Sequence, residues 1–363
     1  MNGNNPSSSR LTGLSISIPT PEQDGDILEL LAATFGQTRS IEEWRWRYRS
    51  GTDQSGISLI VQDDRTGKLV GHVGASPSIA SAWGADIPAA QIIDVMTRPG
   101  WEGKGIFGST FQAMSSLLRE RGFVFVYAVP NHLSLPIFIR HFDWARLFNT
   151  RRWRLRLSML ETIARLGRSR ALAHIIDAPY GVARAMGGRL SVVANAAQRR
   201  GNDFEITSAA PDGADEFWLG HRREESIMFS RSSEFLRGRL DERPGRLYDY
   251  YCLRRQRAIQ AMAIGVREGP VLRLIDLQAL GPDPVLARLL LAHLQGHSQE
   301  HGVHDIQIAG RHEFLLEDAL VGYASTGHNP HVFCVGMLRS SPYQREILQP
   351  GNWSMFEIDT DAV

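Results

Sequence analysis

The feature that most constrains this chain is an internal repeat. Residues 117–130, LLRERGFVFVYAVP, return as HSQEHGVHDIQIAG at 297–310, with Glu120 against Glu300 and Gly122 against Gly302. Residues 91–97, QIIDVMT, return as RLIDLQA at 273–279, which sets Asp94 against Asp276. The two separations, 180 and 182 positions, are nearly equal, and the order is kept. A weaker echo relates EEWRWRY, from Glu42, to SEFLRGRL, from Ser233. Near-constant spacing with preserved order reads as two copies of one fold. The 363 residues leave room for two domains of ordinary size.

The first copy carries the clearer local signals. Residues 26–36 have the spacing of a short amphipathic helix that stops at Gly36. Ser40 and Glu43 have capping-box spacing, with Trp44, Trp46 and Tyr48 behind them. ISLIVQDD, the turn RTGK, LVGHVGASPSIA, a turn near Trp83 and Gly84, and QIIDVMT predict an antiparallel meander. STFQAMSSLLRERG predicts a helix, FVFVYAVP a fully buried strand, and NHLSLPIFIRHFDW a second helix. RRWRLRLSML alternates arginine with apolar residues, as a half-exposed strand does. Strand, loop, helix, strand in that order implies a parallel crossover pairing residues 91–97 with 123–130.

Between those strands lies DVMTRPGWEGKGIFGSTF, residues 94–111. Closely spaced glycines before a helix start can aim several N–H groups at one anion, with the helix dipole behind them. The spacing is neither that of a P-loop nor that of a dinucleotide fingerprint, so the loop reads as a generic phosphate cradle. A plain turn that binds nothing is the alternative for this stretch alone. Glu102 sits inside the loop, and Lys104 is one of two lysines in the chain. The second copy has LGPDPVLARLLL instead, where Pro282 and Pro284 remove backbone donors.

Composition excludes some classes. A formal charge of +1 argues neither for nor against nucleic acid, and no nucleic-acid partner is expected. Cys252 and Cys334 match no metal spacing and read as buried thiols in a reducing compartment, so no metal is expected. The polar start, MNGNNPSSSR, is no signal peptide, and no apolar run approaches the roughly 20 residues that span a bilayer. The expected location is the cytoplasm. Between residues 150 and 200 stand eleven arginines against Glu161 and Asp177. They read as solvated helix and strand faces, or as a surface for a lipid-linked phosphate or a membrane.

DVMTRPGWEGKGIFGSTFQAM resembles the acetyl-CoA signature of the GNAT N-acyltransferases, V-x-P-x-x-R-G-x-G followed by a helix. VYAVPNHLSLPIFIRHFDW resembles the strand and helix that follow it in that family. The ending NWSMFEIDTDAV is similar to two-domain GNAT-like proteins associated with bacterial polysaccharide biosynthesis. The resemblance implies an α/β (α+β) fold in two GNAT-like domains. Each would be a mixed, largely antiparallel sheet with a splayed parallel strand pair between helices. The expected divisions are a disordered tail at 1–11, a first domain at 12–157, a helical basic linker at 158–200 and a degenerate second domain at 201–363.

The resemblance also implies an acyl-CoA site. Pantetheine would bond to the backbone near Met96 and Thr97, and Asn131 would orient the cofactor. The pyrophosphate would sit on the loop from Gly103 through Lys104, Gly105, Ile106 and Phe107 to Gly108. Three departures stand out: Glu102 replaces the family's loop arginine, Phe138 and Ile139 stand where its tyrosine is expected, and Asp143 replaces a glycine. Asp94 is the best-placed carboxylate to take a proton, unless it is paired with an arginine. His132 at the cleft mouth is the second candidate, unless it is a surface histidine. Trp44, Trp46 and Tyr48 read as the floor of a sugar site or as helix core. The expected reaction is acetylation of a primary amine, such as an amino sugar or lipid-linked acceptor, by direct attack in a ternary complex. Fem-type aminoacyl transfer and a non-catalytic acyl-CoA sensor are the rival readings.

Overall fold

The computed structural model describes residues 12–158 and 201–360, apart from residue 53 and breaks at 223–225, 282–283, 312–315 and 321. The expected tail, the basic linker and Pro282 therefore lie outside the described residues. The first copy runs β1 (Leu14–Ser17), α1 (Asp24–Phe35), α2 (Ile41–Tyr48), β2 (Ile57–Asp63), β3 (Leu69–Ala82), β4 (Ala85–Thr97), α3 (Ile106–Glu120), β5 (Phe125–Ala128), α4 (Leu135–Phe142) and β6 (Ala145–Arg156). The second runs β7 (Asn202–Thr207), α5 (Ala214–His221), β8 (Ile227–Phe229), α6 (Ser233–Leu236), β9 (Asp249–Arg255), β10 (Ala258–Glu268), β11 (Val271–Ala279), α7 (Val285–Glu300), β12 (Asp305–Arg311), β13 (Ala324–Met337) and β14 (Met355–Phe356).

Local chemistry sets the ends of these elements. Gly36 takes a left-handed φ of 65° and closes α1 with an N–H bond to the Ala32 carbonyl. Ser40 caps α2 by accepting from the Glu43 N–H, and Ser232 caps α6 by accepting from the Phe235 N–H. Helix α3 buries Ile106, Thr110, Phe111, Met114 and Leu118, one stripe at helical spacing. Asp143 closes α4 at φ 54°, a left-handed conformation usually left to glycine.

The repeat is exact in register. Strands β4 and β5 pair in parallel from Ala89 with Phe125 to Gln91 with Tyr127. Strands β11 and β12 pair in parallel from Val271 with Asp305 to Leu274 with Ile308. The same offsets of 182 and 180 positions relate the two pairs. The parallel pairing is shorter than the expected 91–97 against 123–130, because the first-copy strands part after Gln91.

Neither copy finishes its own sheet. Strand β13 lies against β5, with Met337 opposite Phe125, while β6 lies against β12, with Arg156 opposite Asp305. Strands β6 and β13 also pair with each other. The described strands therefore form one sheet in the order β1-β2-β3-β4-β5-β13-β6-β12-β11-β10-β9-β7, with β14 on β12 and β8 on β3. Equivalent positions of the two copies also meet outside the sheet. The Trp46 indole N–H donates to the Gly238 carbonyl at 2.8 Å. These two residues correspond by the spacing that relates Arg39-Ser40 to Arg231-Ser232, so an approximate dyad passes between them.

Candidate functional site

Where β4 leaves β5, it also bulges against β3. His72 pairs with Met96 and Gly74 with Ile93, so Asp94 and Val95 together oppose Val73. Asp94 has φ 46°, a conformation that costs a non-glycine residue about 1–2 kcal/mol. A dense set of contacts holds it there. Arg39 donates to both carboxylate oxygens at 2.9 and 3.1 Å, and the Tyr48 hydroxyl donates to Oδ2 at 2.7 Å. Nδ1 of His72 donates to the Asp94 carbonyl at 2.6 Å, and its Nε2 accepts from Ser58 at 2.7 Å. Gly74 gives Tyr48 its room, since a Cβ there would lie 2.0 Å from the hydroxyl oxygen.

Burial alone would raise the Asp94 pKa, but Arg47 and Arg39 overcome it and hold the carboxyl down at about 2. Burial lowers the pKa of His72, which sits neutral beneath the bulge. Asp94 lines the cleft, but its carboxylate is committed to Arg39 and Tyr48 and held down, so it acts as a clasp that fixes the kink and is a poor proton acceptor.

The parted strands enclose a cleft of about 590 Å3. Val95, Thr97, Phe107, Ala128, Ile137 and Phe138 line it, with Phe35 and Leu133 at exposed positions. Beyond Gln91, no β5 residue takes up the backbone groups on that edge of β4. Behind Thr97 the chain turns through Gly100, Gly103 and Gly105, all left-handed. Gly105 occupies the N-cap of α3, and no side chain caps the helix. The first-turn N–H groups of this 15-residue helix thus have no partner within the helix. Such a start fits a pyrophosphate by backbone donors alone.

The acid in the loop is accounted for. Oε2 of Glu102 accepts the Gly100 N–H at 2.7 Å and so braces the preceding turn. The Lys104 ammonium sits 4.0 Å from the centre of the Trp101 ring.

Other expected residues fall into different places. Met96 is buried in the core with α1, while Val95 and Thr97 line the cleft. The Ile106 side chain packs on Val61 and Val70, and it can do so because residue 71 is glycine; a Cβ there would lie 2.5 Å from it. Phe107 lines the cleft and meets Phe138 edge-on. Asn131 lines the cleft too, but its Oδ1 accepts the N–H groups of Leu133 and Ser134, both at 3.0 Å, so that oxygen caps the turn into α4. His132 is exposed and is not among the cleft-lining residues. Trp44 and Tyr48 are buried core, Trp44 donating to Asp24 at 3.2 Å, and neither can floor a sugar site. Phe138 is buried, and no tyrosine is among the residues lining the cleft.

Sequence reasoning missed the second copy's contribution. Phe333, Met355, Phe356, Glu357 and Thr360 all line the first copy's cleft. Burial pushes the Glu357 carboxyl above its ordinary range, while Arg273 and Arg152 oppose the shift and Glu268 adds to it. The stretch NWSMFEIDTDAV had stood out as a resemblance, but no local pattern says where Glu357 points.

Residues 16–147 match a family model described as an acetyltransferase (GNAT) domain. No curated protein sequence matches the chain at a significant level. Among solved structures, a probable N-acyltransferase from Enterococcus faecalis V583 superposes with a TM-score of 0.63 at 13% identity, over 90% of this chain and 72% of that one. A tandem GNAT protein from the clavulanic acid biosynthesis pathway gives 0.54 at 14% identity, over 90% and 99%. The Saccharomyces cerevisiae N-myristoyltransferase with bound myristoyl-CoA gives 0.54 at 10% identity, over 94% and 86%. At such identities the likeness is one of fold. The fold is GNAT, in two copies, with the matched domain in the first.

Proposed function

We propose that this protein is an acetyl-CoA-dependent N-acyltransferase that acts on a primary amine by direct attack in a ternary complex. The observation that carries the reading is the uncapped start of α3 at the end of the cleft that the Asp94 kink opens. Backbone donors from Gly103 to Gly108 would hold the pyrophosphate, and the free edge of β4 from Ile92 to Thr97 would bond the pantetheine arm. As a substrate, acetyl-CoA supplies an acyl carbon activated as a thioester.

The amine nitrogen forms a bond to that carbon as the carbon–sulfur bond breaks. Its proton passes to Glu357, the cleft carboxylate with the raised pKa, and the departing sulfur is then protonated. An amino sugar in surface-polysaccharide assembly is the acceptor class suggested by analogy of fold. The lack of a cleft tyrosine favours a second reading, an acyl-CoA sensor without turnover.

Thiol release from acetyl-CoA against a panel of amines separates the two: binding with no release for any acceptor would leave the sensor. Gly105→Asp is expected to abolish acetyl-CoA binding with little change in circular dichroism. Its carboxylate would take the helix-start donors and repel phosphate. Unchanged affinity in that variant would remove the cradle from the account.

A further inference from the structure

The second copy has a hollow of its own, about 360 Å3, at the place that corresponds to the first copy's cleft. Arg273, Ile308 and Ala309 line it where Gln91, Ala128 and Val129 line the first. Arg152 lines it at the position of Phe333, by the 181-position spacing that also relates Arg156 to Met337 across the exchanged strands. Two matched positions thus turn basic, with Arg273 in place of Gln91 and Arg152 in place of Phe333. Arg152, Arg154 and Arg273 share its wall with the amide of Gln307 and the hydroxyl of Thr326.

Two of these cations already have partners. Arg154 pairs with Asp305, and Arg273 with Glu268 and, at 3.5 Å, with Glu357. Arg152 is exposed and forms no salt bridge among the described residues. Helix α7, which follows β11, has Pro284 at its N-cap, so this copy lacks the first copy's glycine-borne helix start. Glu357 lines both hollows and stands at their border.

We infer that the second copy's hollow binds the phosphate of a phosphorylated primary amine and so presents the amine to the first copy's cleft beside Glu357. Guanidinium groups with planar paired donors suit a phosphate, and an acid at the border suits the ammonium end of the same molecule. The inference rests on the acyl-transfer reading for its reaction, but the anion site stands on Arg152 and its neighbours alone. It also gives work to part of the arginine-rich stretch seen in the sequence, since Arg152 and Arg154 belong to it.

The test uses the full chain and thiol release from acetyl-CoA with matched pairs: glucosamine and glucosamine 6-phosphate, ethanolamine and O-phosphoethanolamine. Phosphatidylethanolamine in phosphatidylcholine vesicles is a further arm, to separate a lipid source from a soluble one. The phosphorylated member is expected to have at least tenfold higher kcat/KM. Arg152→Glu is expected to raise its KM at least tenfold and to abolish the preference for the phosphorylated member. Equal use of both members, or an unchanged KM, would overturn the inference.

An arm without turnover guards the case in which no amine reacts. Inorganic pyrophosphate is titrated calorimetrically into the Gly105→Asp chain, where the cradle is disabled. Binding there, weakened at least tenfold by adding Arg152→Glu, supports the site; no binding there overturns it. If acetyl-CoA fails to bind the unaltered chain, the acyl-transfer reading alone falls, because the pyrophosphate arm does not use it.

Discussion

In the first copy, Arg39 precedes the cap of α2 and grips Asp94 with two hydrogen bonds. In the second, Arg231 precedes the cap of α6 and grips Asp276 in the same way, at 2.8 and 3.2 Å. Both clasps sit at a bulge in the strand before the crossover helix. The surroundings then diverge. Asp94 is left-handed, and it is shared with Tyr48 and Arg47. Asp276 has no positive φ and also accepts from Gln278 at 2.9 Å; there the arginine carries a second carboxylate, Asp359, at 2.6 and 3.0 Å. Burial would weaken Arg231's hold on its proton, but the two carboxylates more than offset that. One clasp maintains a strained kink and an open cleft; the other fastens the C-terminal segment that closes that cleft from the far side. The two copies share the joint and differ in what it holds.

The comparison can be broken at several points. The largest expected effect is on chemistry. Glu357→Gln should lower kcat by roughly 100-fold or more, the usual loss for a removed general base, with acetyl-CoA affinity intact. The acidic limb of the wild-type rate should lie above the ordinary glutamate range, since burial raises that pKa, and activity should fall as pH drops through it. A rate unaffected in Glu357→Gln would return the second copy to a purely structural role.

Next comes Arg231→Met, which strands two buried carboxylates and should cost about 3–5 kcal/mol in urea unfolding. Arg39→Met should cost less, because Arg39 is more exposed and Arg47 remains beside Asp94. Equal costs would mean that the two clasps differ less than their partners suggest.

The acid stability of the first clasp is smaller again. Asp94 is depressed to about 2 when folded, against an ordinary value near 3.9. It should therefore contribute about 2–3 kcal/mol, in full above about pH 4 and lost as pH falls through 2. Asp94→Asn should remove that dependence between pH 4 and 2, and a profile unchanged by the substitution would contradict the assigned pairing. Smallest is Glu102→Arg, which trades a turn brace for a cation beside the cradle. Acetyl-CoA affinity should rise by only a few-fold, and a loss of binding would mean that the brace holds the loop in shape.

Much of this was legible in the chain because it is local. Glycine stops, the Ser40 cap, the strand–turn–strand meander and the repeat are all written in neighbouring residues. The glycine loop was legible for the same reason, since its donors are backbone. What failed was reading the direction of side chains. The strand position of Asp94 suggests a free carboxylate, but Arg39, 55 positions earlier, takes both of its oxygens. Trp44 and Tyr48 share a helix with Trp46, yet the first two are buried in the first copy's core while Trp46 faces the second copy, bonded to Gly238 and covered by Arg243. Arg152 reaches the second hollow through the strand exchange and Glu357 reaches the border through the pairing of β14 with β12, both pairings between distant segments. No periodicity in either segment reports its partner.

The exchanged strands also set an order of events during synthesis. The glycine loop leaves the ribosome early, yet β5 cannot gain its second neighbour until residues 324–337 have emerged. The cleft wall at Met355 to Thr360 comes later still. Until then β5 has one exposed edge, and the pairing that covers it spans some 200 residues, the kind of distant contact that slows folding. A nascent chain should therefore acquire any affinity for acetyl-CoA abruptly, once residues 324–360 have emerged and paired.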